Sequence, residues 1–227
     1  MMFITRFVAA ALVLSTLLQN APSAQQRFDY LVRADFFAGA AGDEARLTHV
    51  VELCEKALEE NPNRFEARVW HGAALMVRAG RAFQKGDVAA GGPLFDRGMK
   101  EMNEALALAP DSLGVLIPRA AVLFEATRNM PPDMARPLLQ SAVQNYERAL
   151  EIQAPRFGEL GDHAKGELLF GLAEGWSRLG DTDKARRYFE RLIADAPTSG
   201  QTPKARAWIA TGSLPKSNGT SCVGCHK

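Results

Sequence analysis

One stretch, residues 166–197, constrains most of what this chain can fold into: GELLFGLAEGWSRLGDTDKARRYFERLIADAP. Leu169, Leu172, Ala173 and Trp176 recur at helical spacing. Gly180-Asp181 then stops the helix, and Ala185, Phe189 and Leu192 carry the apolar stripe onto a second one. Neither helix can bury that stripe alone. Two of them, antiparallel across a short turn, bury it against each other and against the next pair, so a chain with several such units stacks them into a solenoid.

Degenerate copies precede it. Residues 66–80, EARVWHGAALMVRAG, align without gaps to GELLFGLAEGWSRLG, and residues 95–110, FDRGMKEMNEALALAP, supply a second helix. About a dozen extra residues between them, including QKGDVAAGG, are expected either to lengthen the first helix or to form a loop. A third pair combines DSLGVLIPRAAVLFEATRN with LLQSAVQNYERALEIQAP, in which Ala142, Tyr146 and Ala149 follow the small, aromatic, small pattern. Pro118 forbids a straight first helix there, because it lacks an N–H and crowds the preceding turn, so that helix is expected to start late or to kink. A first pair covers about residues 28–62 and ends in LTHVVELCEKALEENP. After Pro197, TPKARAWIATG places Pro203 at a helix start and Ala205, Trp208 and Ile209 on one face, as a capping helix over residues 201–212 requires. No stretch alternates apolar and polar residues with the period of two that strands need. The expected fold is therefore all-α: about four antiparallel helix pairs over residues 25–200, then the capping helix and a tail.

The order of these residues resembles the tetratricopeptide repeat (TPR): a large apolar residue, Leu-Ala and an aromatic, then Ala185, Phe189, Leu192 and the closing Pro197. The resemblance is clearest over about 32 residues, 166–197. It implies a TPR-like solenoid whose first helices line a concave groove for a protein partner. By family position Trp70, Ala74 and Val77 face that groove in the second pair, and Phe170, Glu174 and Ser177 in the fourth. The alternative for the same side chains is packing between repeats.

The two ends read differently. Residues 1–24, MMFITRFVAAALVLSTLLQNAPSA, combine one cation (Arg6), an apolar stretch of twelve residues from Phe7 to Leu18, and small residues. That is a secretory signal peptide, cleaved after Ser23 or Ala24, and twelve apolar residues fall short of the roughly 20 that span a bilayer. The mature protein is thus expected to be periplasmic or otherwise exported, with no membrane span. Lysine and arginine total 27 against 26 acidic residues, which offers no basic field for nucleic acid.

Residues 213–227, SLPKSNGTSCVGCHK, have no apolar stripe and are expected to act as a flexible tether. They carry Cys222, Cys225 and His226, the C-x-x-C-H arrangement of c-type haem attachment. Two thiols at this spacing reach the two vinyl groups of one porphyrin, and the adjoining imidazole becomes the proximal iron ligand. This resembles the haem c site of c-type cytochromes. Small soluble ones, however, carry the motif near their start and wrap the haem with the downstream chain, whereas here Lys227 alone stands beyond it. The haem would have to fold back onto the helices or meet another molecule. Ten residues from Gly212 to Cys222 reach at most about 33–36 Å.

Candidate distal ligands are His163, His71 and His49, or a methionine. The competing readings of the motif are a zinc or other metal knuckle, which lacks a fourth ligand, and a simple disulfide. Cys54 occupies an aromatic position of the first pair and is expected to pack as a small hydrophobe. No Ser-His-Asp set, phosphate loop or carboxylate pair points to an enzyme. Two functions fit these features. One is an electron-transfer or haem-bearing module that docks a partner, such as a redox protein, through its repeats. The other is a periplasmic scaffold whose tail is a metal knuckle or disulfide.

Overall fold

The computed structural model describes residues 27–214. The expected leader at 1–24, and Cys222, Cys225 and His226 in the expected tail, lie outside the described residues. Among these, nine α-helices and no strand occur: α1 (Phe28–Ala40), α2 (Glu44–Glu60), α3 (Phe65–Gln84), α4 (Val88–Leu108), α5 (Leu113–Ala126), α6 (Pro132–Gln153), α7 (Asp162–Leu179), α8 (Thr182–Asp195) and α9 (Thr202–Thr211). They pack in sequence order as four hairpins, α1/α2, α3/α4, α5/α6 and α7/α8, with α9 against α8 at the end. The all-α, TPR-like repeat architecture is thus realised over the described chain.

Three of the four hairpin turns use one device. Gly42, Gly86 and Gly180 take positive φ angles of 129°, 77° and 90°, which glycine adopts without a Cβ penalty. Each is followed by an aspartate, and the side chains of Asp43, Asp87 and Asp181 accept hydrogen bonds from the backbone N–H groups of Arg46, Ala90 and Lys184. An orphan donor of α2, α4 and α8 is satisfied in this way. The third hairpin lacks the device: α5 runs into a 3-10 turn at Thr127–Asn129, and Pro131 and Pro132 open α6.

The extra dozen residues of the second pair lengthen both helices. α3 has 20 residues and α4 has 21, against 18 and 14 in α7 and α8, and the turn is only Lys85–Asp87. The added length leaves Phe83 and Val88 exposed near the tip. Lower down, α3 and α4 approach backbone to backbone. A Cβ added to Gly72 would lie 2.7 Å from the Gly98 carbonyl oxygen, and one added to Gly98 would lie 2.8 Å from that of Gly72.

Pro118 does not delay α5. The helix begins at Leu113 and runs past the proline to Ala126, with Pro118 in its second turn. Pro93 and Pro137 occupy the same place, the sixth residue, in α4 and α6. That early position frees one carbonyl and leaves the rest of the ladder intact.

Aromatic rings join the pairs. Phe36 of α1 meets Trp70 of α3 edge-on at 5.1 Å between centroids, and Phe189 of α8 meets Trp208 of α9 at 4.7 Å. Trp208 is buried, and its indole N–H donates to the Ser177 hydroxyl at 3.0 Å, so α9 closes the last apolar face.

Candidate functional sites

The three candidate histidines sit in different surroundings. His71, on α3, is fully buried. Its Nδ1 bonds the carboxylate of Glu101 on α4, and its Nε2 lies 3.6 Å from Oε1 of Glu55 on α2. Arg97 donates from Nε to the other Glu101 oxygen at 2.9 Å. The imidazole is thereby hydrogen-bonded to α4 and only lies near α2, its Nε2 being buried without a hydrogen-bond partner, and neither ring nitrogen opens to solvent. Burial alone would raise the Glu101 pKa, but the hydrogen bonds and charges of His71 and Arg97 outweigh it and hold the carboxyl below its usual range.

His49 of α2 is half exposed, and its Nδ1 lies 2.6 Å from Oδ2 of Asp35 on α1. Asp35 also takes Arg46. Its partial burial opposes ionisation, yet these two partners lower its pKa overall. His163 is exposed as the second residue of α7, the helix-start position expected for it. The adjacent Asp162 accepts from the Thr198 N–H at 2.8 Å, tying the start of α7 to the turn before α9.

Cys54 packs as expected. It is fully buried, and burial, reinforced by Glu101 and Glu55, pushes its thiol far above the ordinary value, so it stays protonated. Among the described residues no group of three or more His, Cys, Asp or Glu side chains is arranged to hold a metal ion.

The expected groove residues are largely spent on packing between repeats. Trp70 is covered by Phe36, and Ala74 is buried. Glu174 is buried against Arg128, just past the end of α5, with Nη1–Oε1 at 2.6 Å and Nη2–Oε2 at 3.2 Å. Ser177 takes the Trp208 indole. Phe170 is half buried, with the Phe189 ring at 6.0 Å and the Lys204 ammonium at 5.4 Å from its ring. Val77 is half buried as well.

Open clefts lie instead at the hairpin ends and between second helices. One of about 460 Å³ is lined by Gly42, Glu44, Arg78, Arg81, Lys85 and Asp87, where the long second hairpin rises past the first turn. Arg78 and Arg81 both pair with Glu44 there. Another, of about 270 Å³, lies between α6 and α8 and is lined by Glu147, Lys184, Arg187, Tyr188 and Arg191. Beside it the Lys184 ammonium stands 3.6 Å from the centre of the Trp176 ring, whose N–H donates to Glu147. Sequence reasoning missed both clefts, because each joins side chains from elements far apart in the chain.

The sequence profile of the tetratricopeptide repeat matches residues 167–199, which cover most of α7, all of α8 and the turn after it. No curated protein matches the chain. The matched repeat and the helical stack together support a scaffold for protein–protein interaction.

Proposed function

We propose that this chain is an exported, non-enzymatic repeat protein that docks a protein partner through its helical domain and carries a covalent haem c at Cys222 and Cys225, with His226 as the proximal ligand. The observation that carries this reading is the C-x-x-C-H spacing in a chain with one other cysteine, Cys54. Two thiols and an imidazole are the donor set that haem c requires. Cys54 does not compete, since it is sealed in the core as a protonated thiol. The haem would supply one-electron exchange at its iron. The helical domain supplies recognition, and tethering the cofactor to it raises the local haem concentration at a docked partner.

Among the three distal candidates, exposure and place favour His163. His71 is locked inside the second pair, and His49 sits on the first pair, at the far end of the stack from α9. α9 brings the chain to the end of α7 that carries Ser177, and His163 stands at the other end of that helix, roughly 21 Å away. Eight residues from Leu214 to Cys222 reach at most about 26–29 Å, which is on the scale of the length of α7.

The test is expression of the full chain in a host with cytochrome c maturation machinery. The mature protein should lack residues 1–24, gain the mass of one haem and keep haem absorbance after denaturation. A colourless product with the bare polypeptide mass would overturn the haem reading. The second reading, a scaffold with a metal or disulfide tail, rests on the repeat match and the open clefts. Partner binding and function that survive removal of residues 213–227 would favour it.

A further inference from the structure

One face of α8 shapes the cleft that this helix forms with α6. Lys184, Arg187, Tyr188 and Arg191 follow the i, i+3, i+4, i+7 spacing, so their side chains lie in one row, and with Glu147 of α6 they line an open space of about 270 Å³. Like charges at such spacings repel, so a helix gains nothing by gathering three cations in one row unless an anion meets them. The chain's own acids answer them unevenly. Arg191 pairs with Asp195 at 3.0 Å, and the Lys184 ammonium lies 3.9 Å from Asp181, at the limit of an ion pair. Arg187 is exposed, and among the described residues it has neither a carboxylate partner nor a hydrogen-bond acceptor. Glu147 is already engaged, since it accepts the Trp176 indole N–H at 3.2 Å.

The other groups of the row are set to receive an anion. The Lys184 ammonium stands 3.6 Å from the centre of the Trp176 ring, and the Arg191 guanidinium 4.5 Å from that of Phe157. Stacking of this kind restrains a long side chain before any ligand arrives. The hydroxyl of the half-buried Tyr188 has no hydrogen-bond partner among the described residues. Burial, with Glu147 nearby, pushes its pKa up, so it keeps its proton and can donate. The surrounding surface agrees in sign: residues 182–211 hold six lysines and arginines against three acids, although the whole chain is nearly neutral at +1.

We propose that the α6–α8 cleft docks an acidic segment of a protein partner, one of its carboxylates seated between Arg187 and Arg191 with the Tyr188 hydroxyl as a further donor. This rests on the partner-docking half of the reading above and is independent of the haem. The cleft is open and smaller than the roughly 300–1,000 Å³ of pockets that enclose small molecules, so it fits a single side chain presented by a larger body. Arginine and tyrosine are also the residues that most often carry affinity at protein interfaces. Docking here uses the second helices of the stack, whereas the expected groove residues on the first helices are taken by neighbouring repeats.

The experiment follows the Arg187 and Arg191 Nε–H resonances of the full chain by NMR at constant ionic strength, with end-blocked hexaglutamate as the probe. Saturable shifts of both resonances are expected, with weaker responses to free glutarate and to inorganic phosphate. Arg187→Glu, read at Arg191, should weaken the peptide about tenfold and leave the melting temperature unchanged, because Arg187 is exposed and bonds nothing. Lys85→Glu, which reverses an exposed cation of the other cleft, should leave peptide affinity as it was. Equal losses from the two variants mean general charge attraction and overturn the proposal, as does a response to glutarate or phosphate as strong as that to the peptide. Peptide shifts confined to other residues, such as Arg78 and Arg81, also overturn it, but leave the docking reading standing on a different surface. No response at any resonance overturns it too, and the docking reading is then decided by the partner-binding test on the tail-truncated chain.

Discussion

Glu174 of α7 and Arg128, just past the end of α5, form a two-pronged ion pair that fastens the fourth repeat to the third. The carboxylate is buried while the guanidinium is a third exposed, and Arg178 adds hydrogen bonds from α7 to the Phe124 carbonyl and the Thr127 hydroxyl. α7 thus grips the 3-10 turn that ends α5, in the one hairpin that lacks a glycine–aspartate turn. Truncating one partner leaves the other charge poorly answered. Glu174→Ala is expected to destabilise the protein by about 2–3 kcal/mol, toward the low end for a broken buried pair because Arg128 keeps Glu125 and some water. A double-mutant cycle with Arg128→Ala, read by urea denaturation, should give a coupling above about 1 kcal/mol, and strict additivity would refute the role.

Two glycines on α3 should respond in opposite directions to the same change. Gly72→Ala places a methyl 2.7 Å from a backbone oxygen of α4, which cannot swing aside, so a loss of about 1–3 kcal/mol is expected. Gly80 has nothing within 4 Å of its added Cβ, and there alanine is expected to stabilise by about 0.5–1 kcal/mol through helix propensity. Thermal melts of the two variants decide the matter, and a Gly72→Ala protein as stable as its parent would show that α3 and α4 can separate freely.

The helical class, the four hairpins and the cap were legible because apolar spacing reports directly on which face is buried. That is why Leu169, Leu172, Ala185, Phe189 and Trp208 all lie in the core. Spacing does not report on what covers a face. Trp70, Glu174 and Ser177 stand at groove positions, yet each is taken by a neighbour, Phe36, Arg128 and Trp208, that no local pattern connects to it. The His71–Glu101 bond spans 30 residues, and nothing near His71 in sequence announces its partner. The hairpin turns share one glycine–aspartate signal in AGDEAR, KGDVAA and LGDTDK, of which Gly180-Asp181 alone stood out before the turns themselves were seen.

Acid should loosen the second repeat through Glu101. Its folded pKa is depressed by His71 and Arg97, so on acidification the unfolded chain takes up a proton first, near the ordinary glutamate value of about 4.3. The stability Glu101 contributes is therefore complete above that value and is lost as pH falls below it toward the folded pKa. Urea midpoints between pH 6 and pH 3 should fall more steeply for the parent than for Glu101→Gln, which cannot titrate. Parallel curves would mean that the bridge to His71 carries no linkage.

The aspartate caps should matter unequally, because their surroundings differ. Asp181 and Asp43 each satisfy one N–H at the start of their helices, and replacing either by alanine is expected to cost about 1 kcal/mol, with asparagine restoring most of it. Asp87 caps α4 at the tip of the long second hairpin, where Lys85–Ala90 are all exposed and little packing depends on the first turn of α4. Fraying there is local, so Asp87→Ala should speed amide exchange at residues 88–91 while leaving the global melting temperature nearly unchanged. A drop in global stability equal to that of Asp181→Ala would show that the extended hairpin belongs to the cooperative core, and the protrusion would then be part of the stack and not an appendage to it.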